Sequence, residues 1–153
     1  MTAVQYPALP SGLRGNPEQI EAAVQTALSA VKPQLEAVLC TDYDRIFFFS
    51  KSIGTAIAAR YAVRHGLHPE QVYFTPIEAA IPDLDPAGIA FHGTADPWAR
   101  TELITESCRR LGVPLHLTEN ADHSMETGDV LRDITILHTI LEQTDRWMRQ
   151  RCI

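Results

Sequence analysis

The sequence predicts an α/β fold, a mainly parallel sheet of about five strands with helices on both faces. Three observations carry that expectation. Short apolar runs alternate with longer segments whose apolar residues recur at helical spacing. Glycine or proline marks most of the joints between them. Nearly every strand-like run is followed by a helix-like one, which favours parallel strands joined by right-handed crossovers. At 153 residues with no repeat, low-complexity tract or linker, the chain reads as one domain, 1–153.

Each element has its own warrant. Ala3–Tyr6 reads as a short strand ended by Pro7 and Pro10. Asn16 caps a helix over Pro17–Leu35, with proline at its first position and Ile20, Val24, Leu28 and Val31 on one face. The aromatic run Ile46–Phe49 is a buried strand. It leads into the alanine-rich helix Ile53–His65, which Gly66 closes. Gln71–Pro76 and Gly88–Gly93 are further strands, and Ala99–Leu111 is a helix stopped by Gly112. The run PLHLTE is the last strand, and a final helix spans Gly128–Arg149. In that helix Ile134, Leu137, Leu141, Trp147 and Met148 mostly share one stripe.

Composition narrows the function. A formal net charge of −6 argues against a nucleic-acid partner, because binding phosphates needs a basic face. No run of 18 apolar residues predicts a membrane span, and the N-terminus lacks a basic start and long apolar core, while the odd cysteine count without a disulfide framework makes a reducing cytoplasm the expected location. Cys40, Cys108 and Cys152 are an odd number without metal-ligand spacing, and no H-x-H or H-E-x-x-H pattern exists. Neither a metal nor a cofactor is expected, and the partner is a small-molecule substrate. The TDYD segment (Thr41–Asp44) brings to mind a phosphatase D-x-D loop, but it precedes a strand where such a loop should follow one.

In open parallel sheets, functional groups gather beyond the C-terminal ends of the strands. Three reactive residues fall there in order: Ser52 after Ile46–Phe49, Asp96 after Gly88–His92, and His123 after Pro114–Leu117. A serine hydroxyl needs a base to take its proton, an imidazole can do so near neutral pH, and a carboxylate fixes the imidazole's tautomer. Ser50 also ends the strand, but only Ser52 has a glycine two positions on and a helix start beside it. Asp83 and Asp85 lie before a strand, at the wrong end of the sheet, and His92 inside a strand reads as a packed or edge histidine.

The residues around these three strengthen the pattern. S-K-S-I-G-T resembles the nucleophile elbow of the α/β-hydrolases, with Ser50 in place of the first glycine of G-x-S-x-G. F-H-G-T-A-D-P is similar to that family's acid loop, and N-A-D-H-S to its histidine loop. The resemblance covers most of the chain and implies an α/β-hydrolase-like three-layer sandwich, lacking the family's upstream antiparallel strands. It implies a serine hydrolase of ester, thioester or related acyl bonds, with Ser52, Asp96 and His123 as a triad and the Ile53 N–H in the oxyanion hole.

Gly54 is expected to let the elbow turn tightly. The second oxyanion donor has no counterpart by motif, and the loop Pro7–Gly15 is the geometric candidate. Pro76–Ala87 is too short for a cap domain, so the site should be open, with Lys51, Phe74, Ile77, Trp98 and Met125 as pocket candidates. The missing strands leave a sheet edge that points to a homodimer. The competing reading is a hydrolase-like binding module with a residual triad.

Overall fold

A computed structural model describes residues 1–39 and 43–152. Cys40 and the Thr41–Asp42 half of the TDYD segment lie outside the described residues. Asn16 opens α1 (Pro17–Leu39), its side-chain oxygen accepting from the Gln19 N–H at 3.1 Å. There follow β1 (Phe47–Lys51), α2 (Ile53–His65), β2 (Glu70–Phe74), a 3-10 turn at Glu78–Asp83, β3 (Ile89–Gly93), α3 (Thr101–Leu111), β4 (Leu115–Thr118) and α4 (Val130–Arg151). All pairings are parallel and the order is β1-β2-β3-β4.

Four strands among the described residues replace the expected five, because Ala3–Tyr6 does not join the sheet. At Gln5 its backbone pairs with a side chain instead. The Gln34 amide of α1 accepts from the Gln5 N–H at 2.9 Å and donates to the Gln5 carbonyl at 2.6 Å. Both backbone groups of Gln5 are thus paired to an amide rather than to a neighbouring strand.

The pleat sorts residues between two cores. Phe48, Tyr73, Ala90 and Leu115 face a large cluster built with α1, α2 and α3, including Val24, Val31, Ile57 and Ile104. Phe47, Val72, Phe74, Ile89 and Phe91 face a smaller cluster covered by α4 through Ile136, Ile140 and Trp147. Arg60 of α2 ties the larger side together. It donates to Glu21 of α1 at 2.6 Å, to Asp83 at 2.9 Å and to the Ala79 carbonyl at 3.1 Å.

The α4 stripe divides differently from the sequence expectation. Trp147 is buried and Met148 half-buried against the sheet, in a row with Ile140. Ile134, Leu137 and Leu141 lie on a flank about a quarter-turn away and are 57–59% exposed. Two apolar rows run along this helix, and the sheet takes only one. Among the described residues, no helix is long and apolar enough to cross a membrane.

Candidate active site

Because every strand runs the same way, the segments after β1, β2, β3 and β4 meet at one edge. Ser52 directly follows β1, with φ 55° and ψ −128°, a conformation that a residue bearing a Cβ rarely adopts. Its N–H donates to the Phe74 carbonyl at 3.0 Å, and its carbonyl accepts from the Thr55 N–H at 3.0 Å and the Thr55 hydroxyl at 2.6 Å. These bonds hold the sharp strand-to-helix turn.

Ser52 itself takes the strain, not Gly54. A Cβ on Gly54 would meet only the Tyr6 hydroxyl at 3.9 Å and Ser50 Cβ at 4.0 Å, which is ordinary contact. The expectation that Gly54 makes the turn is therefore corrected. Ser50 is buried and donates to the Val72 carbonyl at 3.2 Å, as a small packing residue would.

The acid and histidine loops are laced together. The Thr94 N–H donates to the Thr118 carbonyl at 3.0 Å, the Ala95 N–H to Ala121 at 2.9 Å, and the Asn120 N–H to the Thr94 hydroxyl at 2.9 Å. Gly93 is glycine for a steric reason, since a Cβ there would run into the Ala121 carbonyl. Asp96 is fully buried in its side chain, and its Oδ1 accepts from the Trp98 N–H at 2.8 Å. His123 sits in a turn held by Asp122, whose Oδ1 accepts from Ser124 at 2.7 Å and Glu126 at 3.1 Å.

The three predicted residues then meet in line. His123 Nε2 lies 2.7 Å from Ser52 Oγ, and His123 Nδ1 lies 2.8 Å from Asp96 Oδ2. The His123 side chain remains 16% exposed, so one side of this line reaches solvent. Ile53 opens α2 immediately after Ser52 and is itself buried. The unbonded N–H groups of a first helical turn favour negative charge.

The pocket candidates separate. Ile77 and Trp98 line a cavity of about 790 Å³ together with Gly15, Ile20 and Asp96, and the Trp98 ring lies 5.5 Å from that of His123. Gly15 brings the end of the Pro7–Gly15 loop to that cavity. Phe74 and Met125 do not line it; they pack in the α4-side core, Phe74 stacking on Phe91 at 5.5 Å. Lys51 Nζ donates to the His123 carbonyl at 2.9 Å, so its ammonium fastens the histidine loop.

Sequence reading missed two features. Non-glycine residues with positive φ, Ser52, Thr75, Asn120 and Met125, all lie beyond strand ends at this edge. Such strain concentrates where the surroundings hold a functional arrangement. The second feature is His92, which of the two expected arrangements is packed rather than at an edge, with its Nδ1 only 3.7 Å from Asp96 Oδ2. Its place four residues before the acid was the available signal. Burial holds its pKa below the ordinary imidazole value, against the pull of Asp96. Among the described residues, no group of three or more His, Cys, Asp or Glu is arranged to hold a metal ion.

No family model and no curated protein matches the chain. Solved structures do. A lidless α/β serine hydrolase from Xanthomonas campestris aligns at TM-score 0.51 and 16% identity, covering 78% of this chain and 56% of its own. An α/β serine hydrolase homologue from Coxiella burnetii aligns at 0.56 and 16%, covering 88% and 66%. A protein of unknown function from Agrobacterium tumefaciens, proposed to be an α/β hydrolase, aligns at 0.62 and 11%, covering 95% and 69%. The chain thus spans less than two thirds of the first two neighbours' length. With its parallel sheet between helical layers and its matches to these proteins, the chain has an α/β-hydrolase-like fold.

Proposed function

We propose that the protein is a serine hydrolase of ester, thioester or related acyl bonds. One observation carries the reading: the unbroken line from Ser52 Oγ through His123 to the buried Asp96 carboxylate, at 2.7 and 2.8 Å, on a serine held at φ 55°. In this mechanism His123 takes the Ser52 proton as Oγ attacks the acyl carbon, then gives that proton to the leaving group. Asp96 keeps the Nδ1–H tautomer of His123 and stabilises the imidazolium. The Ile53 N–H at the start of α2 is one donor to the developing oxyanion. A water activated by His123 then releases the acyl group from Ser52. The cavity beside Trp98 and Ile77 is the proposed seat of an apolar acyl or alcohol part.

The second reading is a hydrolase-like binding module. It is favoured by the cavity's lining, which includes Asp96 but neither Ser52 nor His123. The two readings separate with a fluorophosphonate probe: wild type takes the label, while Ser52→Ala and His123→Ala do not. An unlabelled wild type, or a label that survives Ser52→Ala, sinks the nucleophile assignment.

A further inference from the structure

Asp96 lies between two imidazoles, and the proposed triad uses only one. His92 is on β3, in the middle of the sheet, and its side chain has no exposed surface. Its Nε2 meets the Thr101 hydroxyl of α3 at 3.1 Å. Its Nδ1 is one of the few buried polar atoms with no hydrogen-bond partner, and what stands before it, at 3.7 Å, is Asp96 Oδ2. That oxygen is the one His123 binds at 2.8 Å, whereas Asp96 Oδ1 is taken by the Trp98 N–H.

The neighbours decide the tautomer. A hydroxyl can donate to Nε2 or accept from it, and the one proton of the Thr101 hydroxyl is drawn in the other direction only by a long bond to the Thr94 carbonyl at 3.4 Å. A carboxylate cannot donate, so facing it with a bare nitrogen lone pair would be repulsive. The carboxylate favours the proton on Nδ1, aimed at Asp96, and the Thr101 hydroxyl can accommodate it by turning its proton from Thr94 to Nε2. A buried polar group without a partner is expensive and calls for an explanation. A packing role accounts for the Thr101 contact but leaves the Nδ1 side unexplained.

The geometry points to His92 as a positioning residue for the acid: a neutral Nδ1–H dipole that holds the Asp96 carboxylate against His123. This rests on the serine hydrolase reading. Asp96 and His123 are the titratable groups that act on the charge of His92. Its neutrality matters, because a second imidazolium beside Asp96 would compete with the one His123 becomes during turnover. Kept neutral by its dry setting, His92 orients the carboxylate without cancelling its charge. At 3.7 Å the contact is longer than a hydrogen bond, and a shift of under about 1 Å would close it.

Two substitutions divide the ring's functions. His92→Gln places an amide near Nε2 and keeps the Thr101 contact while removing the donor toward Asp96. His92→Asn places an amide nitrogen near Nδ1 and keeps that donor while losing Thr101. Hydrolysis of p-nitrophenyl acetate is measured for both, with thermal melts to check folding. Nitrogen-detected imidazole spectra of the wild type are recorded from pH 8 to 5.5. Expected are a neutral Nδ1–H tautomer for His92 throughout, a roughly tenfold lower kcat with unchanged KM in His92→Gln, and recovery of most of that loss in His92→Asn. An Nε2–H tautomer, or equal losses in the two variants, overturns the inference. A wild type that neither turns over ester nor takes the fluorophosphonate label overturns the serine hydrolase reading, and the spectra, which need no turnover, still decide the placing of His92.

Discussion

The two ends of the sheet treat the same backbone problem in opposite ways. At the N-terminal end, the chain must enter the left-handed region to leave α2 and α3, and it does so at Gly66 (φ 62°) and Gly112 (φ 77°), where no Cβ is strained. At the C-terminal end positive φ is taken by Ser52, Thr75, Asn120 and Met125, Ser52 with a ψ of −128° that even the left-handed glycines do not share. Glycine would be easier there too, yet side chains are kept. Relaxed closure at one end and retained strain at the other mark where conformation serves packing and where it serves the arrangement of Ser52, His123 and Asp96.

The sharpest test of that contrast is Ser52→Ala. Ester hydrolysis should fall roughly 10⁴-fold or more, while the melting temperature stays near wild type, because the change removes only the hydroxyl. A large loss of stability would make the turn a packing feature instead. Asp96→Asn should lower kcat by roughly 10³- to 10⁴-fold in a steady-state assay, since an amide in its place does not stabilise the imidazolium.

Gly93→Ala probes the lacing between the two loops. It should cost about 3 kcal/mol or more in urea unfolding, because the added Cβ meets the fixed Ala121 carbonyl. At the opposite end, Gly66→Ala should cost about 1 kcal/mol and leave activity untouched, as a left-handed alanine does. Activity lost with Gly66→Ala would break the division between the ends.

The smallest effect is on pH. Burial lowers the pKa of His92 and of His116 below the ordinary 6.5. On acidification the unfolded chain binds protons at these residues that the folded chain resists. Their contribution is therefore full above that value and lost progressively as pH falls below it. Urea midpoints should drop between pH 7 and pH 5, and the drop should shrink in His116→Phe.

The helix Ile53–His65 was legible to the residue, since alanine-rich periodicity and Gly66 mark both ends locally. The Ser, Asp, His order was legible because a parallel sheet turns succession in sequence into neighbourhood at one edge. Local pattern failed where a partner distant in sequence decided the outcome. Ala3–Tyr6 has strand character, but the Gln34 side chain claims the backbone of Gln5. The pocket reading of Phe74 and Met125 failed similarly, because which side of the pleat α4 covers is not written in either segment.

The α/β class, the crossovers and the candidate residues follow from periodicity, turn chemistry and chain order, which are local or nearly so. The tertiary structure alone decided that Ser52 carries the strain of the elbow, that Lys51 fastens the histidine loop, that one of the two apolar rows of α4 packs, and that His92 stands behind Asp96. Most of these depend on contacts between segments far apart in the chain, and the His92–Asp96 approach, though only four residues apart, depends on how β3 and the loop after it are packed. Such contacts are set by how close the packed elements approach, a distance no single segment encodes.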